Sequence, residues 1–185
     1  MIACLDVYYS TSTARAAAVV LEQWTSKTPI AAYSVSVSHC NDYAPGRFYR
    51  RELKPLLAVI SQIREEVSCY VIDGYCHLSS NREPGLGARL AEILPSEKTV
   101  VGVAKNRFQD SRHAFEVLRG SGKRPLFVTA VQLDYQEAAN FIQSMNGDHR
   151  IPTMLKRVDR LSRQINSQPA LGEPRLNAMS SVNWY

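Results

Sequence analysis

Residues 2–9, IACLDVYY, form an apolar run broken by one aspartate and predict a strand that starts almost at the first residue. STST then reads as a turn, and ARAAAVVLE fits either a strand or a short helix, because alanine is depleted in strands and the run has no decisive period. Through Tyr33, Val35 and Val37, the stretch PIAAYSVSVSH alternates apolar and polar residues at strand period. Three consecutive strands at this spacing predict an antiparallel meander.

After the loop NDYAPG the period changes. In RFYRRELKPLLAVISQIREEV, Phe48, Leu53, Leu56, Leu57, Ile60 and Ile63 recur at helical intervals, with Pro55 marking a kink or the first turn. SCYVIDG is a buried strand, EPGLGARLAEIL a short helix, KTVVGVAK a second strand of the near-continuous apolar kind, and RPLFVTAVQL a third. YQEAANFIQSM, closed by Asn146-Gly147, and IPTMLKRVDRLSRQI complete the pattern as helices. A meander followed by alternating helices and strands predicts an α/β fold, a mixed sheet with helices on its faces. One domain is expected over residues 1–166, with 167–185 an irregular tail.

Composition alters this picture little. The net charge of +5 and the basic run Arg150, Lys156, Arg157, Arg160 and Arg163 point mildly to a polyanionic partner. Four cysteines form no CxxC pair, and Cys4 and Cys69 lie in apolar runs, which suits buried thiols in a reducing compartment. The opening residues are no signal peptide and no stretch has the length of a membrane span, so a cytoplasmic protein is expected. The four histidines show no metal spacing, and RGSGKRP lacks the spacing of a phosphate-binding P-loop.

The acids carry the chemistry. Asp73 ends the apolar run CYVID and Asp6 interrupts the first strand. A carboxylate in such a place costs solvation unless something positive meets it, although Asp-Gly is also a common turn. If the two strands are neighbours, both carboxylates approach one point at the edge or end of the sheet. Glu52, in the first turns of the long helix, supplies a third; a solvated surface glutamate is its commoner fate. Three convergent carboxylates are what a hard cation such as Mg²⁺, or Mn²⁺ in its place, requires beside a phosphodiester.

Four stretches in order resemble the endonuclease V family. CLDVYY resembles its first strand with a metal-binding aspartate, here Asp6; YAPGRFYRRELKPLL resembles its block of tyrosine wedge, Pro-Gly turn and Arg-Glu pair. YVIDGY resembles the strand ending in a third ligand, Asp73, and TVVGVAK the strand running into a lysine near the site, Lys105. The resemblance spans roughly residues 1–163 and implies an RNase H-like fold. It also implies a metal-dependent nuclease that cuts DNA or RNA one nucleotide 3′ of a deaminated base, chiefly inosine, leaving 3′-hydroxyl and 5′-phosphate ends. In that reading Asp6, Glu52 and Asp73 hold the metal and Lys105 faces the scissile phosphate. Tyr43 is the wedge beside Pro45 and Gly46, and Tyr75, His77 and Gly85 contact substrate.

The chain departs from the family pattern in three places. The stretch GYCHLSSNREPGLGARL replaces a His-Pro-Arg segment that helps to form the lesion pocket, with His77 and Arg82 at altered spacing. TAVQLDY replaces a strand ending in Gly-His, so Asp134 is either a substitute ligand or a helix N-cap. The helical segment that usually precedes the first strand is missing from this sequence. Two function classes emerge: an active endonuclease, or a catalytically degenerate relative that binds nucleic acid or protein.

Overall fold

The computed structural model describes residues 1–38, 48–109 and 111–164, with the backbone alone for 48–51. Its elements are β1 (Ile2–Tyr9), β2 (Thr13–Leu21), β3 (Ala31–Ser38), α1 (Phe48–Ile60), β4 (Cys69–Asp73), α2 (Leu86–Ala91), β5 (Thr99–Ala104), β6 (Phe115–Val117), β7 (Leu126–Val131), α3 (Tyr135–Ser144) and α4 (Thr153–Arg163). All seven strands lie in one sheet, ordered β3-β2-β1-β4-β5-β7-β6. The expected meander is present, since β1, β2 and β3 pair antiparallel in sequence. β4 and β5 then add parallel to β1, and β7 and β6 close the other edge antiparallel.

Each face of the sheet has its own core. Ala3, Leu5, Ala16, Ala18, Val20, Tyr70 and Ile72 pack against Leu56 and Val59 of α1 and Leu90 of α2. On the opposite face Cys4, Ala17, Val19, Val71, Val101 and Val128 meet Ala138 and Ile142 of α3 and Met154 and Val158 of α4. Burying one aliphatic side chain of this size contributes about 1.5–3 kcal/mol, so these two layers hold the sheet rigid. They also settle the alanine-rich segment as a strand. Ala16, Ala17 and Ala18 are fully buried between helices on both faces, where their small side chains let the helices approach.

Two details differ from expectation. α1 continues through Pro55, giving up one backbone hydrogen bond where an interior proline cannot donate. β6 was not anticipated: it is three residues long, and Phe115 and Glu116 are exposed, so it has no periodic pattern to read. The thiols of Cys4, Cys69 and Cys76 are buried and free, with burial pushing Cys69 and Cys76 up to about 12. Among the described residues no helix is long and apolar enough to cross a membrane. The tail, residues 167–185, lies outside the described residues.

The turn after β4 shapes the end of the sheet. Gly74 has φ 138°, a conformation that side chains disfavour, and sends the chain back across the sheet face. The Cys76 amide then donates to Thr129 Oγ1 at 2.8 Å. The returning backbone rests on Gly102 of β5, where a Cβ would stand 2.6 Å from the Gly74 carbonyl oxygen and 2.7 Å from the Cys76 nitrogen. Substituting Gly102→Ala is therefore expected to destabilise the fold by about 1–3 kcal/mol, the usual cost of overpacking, as read from a chemical denaturation midpoint.

Candidate active site

β1 and β4 run parallel with Leu5 opposite Ile72, which sets Asp6 and Asp73 at the next position of each strand. Two carboxylates thus stand side by side at the end of the sheet. At Asp73 a turn and a carboxylate at the cleft coexist: Gly74 makes the turn, and Asp73 borders a cleft. On the α1 side that cleft is walled by Leu5, Asp6, Val7, Glu52, Leu56, Ile72, Asp73 and Leu86 and has a volume of about 80 Å³. A single water needs roughly 10–15 Å³ on the same scale, so several fit. On the α4 side a narrower recess shares Asp6 and Asp73 and adds Lys105, Val103, Leu126 and Asp159.

The strand order explains where Lys105 stands. β5 lies beside β4 with Val103 opposite Asp73, so Lys105 emerges just past the strand end. Its Nζ donates to Asp73 Oδ2 at 2.5 Å. Burial alone would lower the lysine's pKa, but the hydrogen bond and charge of Asp73, with Asp6 and Asp159 behind it, raise it overall. The backbone there is anchored as well, since Arg150 donates to the carbonyls of Lys105 and Pro125.

Asp6 is in the more demanding position. Burial pushes its carboxyl pKa up, the hydrogen bond from Ser162 opposes this, and the charges of Asp73 and Asp159 push it up further. Ser162, on α4, donates to Asp6 Oδ2 at 2.5 Å. Asp159, one turn earlier on α4, receives Arg163 Nε and Nη2 at 3.1 and 2.9 Å. The Arg163 guanidinium in turn lies 5.0 Å from the Tyr8 ring centroid, a cation–π distance.

Asp6 and Asp73 therefore border both recesses, Glu52 joins them on the α1 side and Lys105 on the α4 side, where Asp159 stands with them without having been anticipated. Asp159 is the lone acid on a basic helix and reads in sequence as an ordinary i, i+4 partner of Arg163. A signal was available one turn on. Met154, Val158 and Ser162 form the buried stripe of α4, and a serine there needs a polar partner.

The remaining candidates lie elsewhere. Asp134 is the N-cap of α3, accepting from the Gln136 and Glu137 amides at 2.8 and 3.2 Å, so the cap reading holds over the ligand reading. Tyr75, His77 and Gly85 sit where the chain folds back and line neither recess, although Gly85 directly precedes Leu86 of the α1-side wall. The Tyr75 hydroxyl donates to the Asn106 carbonyl at 3.0 Å and accepts from the Phe108 amide at 3.2 Å, which makes it a brace for the loop after Lys105. His77 is buried with Nδ1 2.6 Å from the Tyr135 hydroxyl; burial, then the charges of Arg82 and His113, lower its pKa. Gly85 packs under the Tyr75 carbonyl, 2.6 Å from where a Cβ would be. Tyr43, Pro45 and Gly46 lie outside the described residues.

The donor set suits a hard divalent cation: carboxylate oxygens from Asp6, Asp73, Glu52 and Asp159, two of them side by side and repelling. Among the described residues, however, no trio of His, Cys, Asp or Glu stands at metal-ligand spacing. The Lys105 ammonium meets Asp73.

A pH dependence follows from Asp6. Its pKa is higher in the folded than in the unfolded protein, so the ionised carboxylate costs stability at neutral pH. That cost fades as pH falls towards the ordinary value of 3.8. In chelator-treated protein, Asp6→Asn is expected to melt above the wild type at pH 7, with the gap closing as pH approaches 4. Thermal denaturation of both proteins across that window reads the difference.

Comparison with known proteins bears on the fold and the family. A family model described as Endonuclease V matches residues 1–124. No curated protein matches the sequence. Among solved structures, Streptomyces avermitilis endonuclease V aligns with a TM-score of 0.71 at 24% identity, over 88% of this chain and 79% of that one. Human endonuclease V aligns at 0.69 and 21%, over 88% and 82%. Ciona intestinalis endonuclease V, in complex with a 24mer DNA containing an inosine followed by a ribo-adenosine, aligns at 0.72 and 18%, over 88% and 84%. At these identities the structures establish the fold, which is RNase H-like. With the family model covering residues 1–124 of 185, the chain belongs to the endonuclease V family.

Proposed function

We propose that this protein is a metal-dependent endonuclease that cuts a DNA or RNA strand near a deaminated base, inosine above all, leaving 3′-hydroxyl and 5′-phosphate ends. The observation that carries this reading is the in-register pairing of β1 with β4, which sets Asp6 and Asp73 together at the sheet end. Glu52 and Asp159 flank them from helices on opposite faces. Membership of the endonuclease V family, and the inosine-containing DNA bound by the Ciona relative, support the substrate class.

In this reading Asp6, Glu52, Asp73 and Asp159 hold Mg²⁺ or Mn²⁺. A bound divalent cation supplies Lewis acidity that stabilises the attacking and leaving oxygens of an in-line phosphoryl displacement. The chain's own groups do the rest. Leu5 and Ile72 give both recesses apolar walls, and Val103 and Leu126 add to the α4-side one, which strengthens electrostatic interactions within them. Lys105 places a positive charge at the cleft, where it can meet a phosphate oxygen. Tyr43 would wedge the base stack, a motion that costs least where pairing is already weak.

A second reading has one observation in its favour. The stretch GYCHLSSNREPGLGARL stands where the family has its His-Pro-Arg pocket segment, which suits a relative that kept the acids but binds nucleic acid without cutting.

Labelled single strands of DNA and RNA, with and without one inosine, separate these readings when incubated in Mg²⁺ or Mn²⁺. Cutting beside inosine is expected, and Asp73→Ala should reduce it by more than the roughly 10–100-fold that follows loss of a group merely supporting a metal ligand. Binding without cutting by the wild type would establish the degenerate binding protein. Cutting indifferent to inosine would retain the metal site and remove the lesion specificity.

A further inference from the structure

Ser162 occupies a position that helix packing does not explain. It is fully buried on the stripe formed with Met154 and Val158, in a helix whose other buried side chains there are apolar. A buried hydroxyl is retained at such a place when it has a specific acceptor. Ser162 has two within reach: Asp6 Oδ2 at 2.5 Å and the Asp159 carbonyl one turn back at 2.8 Å. One hydroxyl carries one proton. The carboxylate is the nearer acceptor and the charged one, so it takes that proton, because a charge-assisted bond is roughly twice as strong as a neutral one.

That bond has a geometric consequence. Asp6 is an aspartate on a rigid central strand, so rotation of its carboxylate is the freedom left to it. Ser162 occupies Oδ2 from the α4 side and fixes that rotation. Glu52 borders the cleft from the α1 side, so the fixed carboxylate lies between its partner serine on α4 and Glu52 on α1.

We propose that Ser162 is a positioning residue that fixes the Asp6 carboxylate for a divalent cation. The inference rests on the metal-dependent reading of the site and adds a residue to it. Ser162 touches neither cation nor substrate; it acts through Asp6. Groups that orient a metal ligand in this way typically alter metal affinity by about 10–100-fold.

The test is Mn²⁺ binding to the full chain without nucleic acid, by isothermal titration calorimetry, for wild type, Ser162→Ala and Ser162→Cys. Cysteine is slightly larger than serine and only a weak donor, so it keeps the position filled while weakening the hydrogen bond. Both variants are expected to bind Mn²⁺ about tenfold more weakly than wild type. Circular dichroism melting of the same samples confirms that they are folded. Wild-type affinity in Ser162→Cys would overturn the proposal, because volume alone would then suffice; wild-type affinity in both would do so too. If the wild type takes up no Mn²⁺, the metal-dependent reading itself fails and this inference falls with it, a result distinct from equal affinities.

Discussion

The parallel pairing of β1 with β4 is the constraint on which the site depends. Leu5 and Ile72 share a core face, Cys4 and Val71 share the opposite one, and these apolar positions fix the register. A slip of one residue would turn every side chain to the wrong face, so two buried layers enforce a single alignment. The next position on each strand is an aspartate. The fold therefore holds two like charges together, as an unavoidable result of burying the residues before them.

The surroundings are organised around that repulsion. Lys105 emerges from the neighbouring strand to meet Asp73, and Ser162 reaches across from α4 to meet Asp6. Arg163, held over Tyr8, meets Asp159. The loops behind these groups are braced in the same spirit. Arg119 is 4% exposed and donates to main-chain carbonyls of Gln143, Met145, Gly147 and His149, so a buried cation ties down the segment leading to Arg150. Arg150 then holds the Lys105 carbonyl. A rigid frame thus surrounds a cluster of acids whose charges disfavour one another, at a cost in stability.

Much of this was legible in the sequence, for identifiable reasons. Asp73 was visible because it ends an uninterrupted apolar run, and Asp6 because it breaks one. The meander showed itself through the period of two in β3, whose faces alternate between half-buried and exposed. Residues whose roles come from long-range packing were not visible. Asp159 carries an ordinary surface pattern and is drawn to the site only by α4 docking on β1 and β2. Tyr75 and His77 follow Asp73 closely in sequence, yet the turn at Gly74 carries them back over the sheet into the interior. Asp134 was ambiguous until α3 began directly after it. Local pattern determines elements and their faces; the turn geometry between them decides which residues meet.

If the carboxylates of Asp6 and Asp73 form one cation site with flanking acids from α1 and α4, a bound metal must lie between them. Crystals of the protein grown with Mn²⁺ and measured for anomalous scattering test this most directly. The expected result is an anomalous peak bridging Asp6 and Asp73, with Glu52 or Asp159 drawn to ligand distance and Lys105 displaced from Asp73. A map without a peak there, at Mn²⁺ concentrations that fill ordinary carboxylate sites, would contradict a shared metal site.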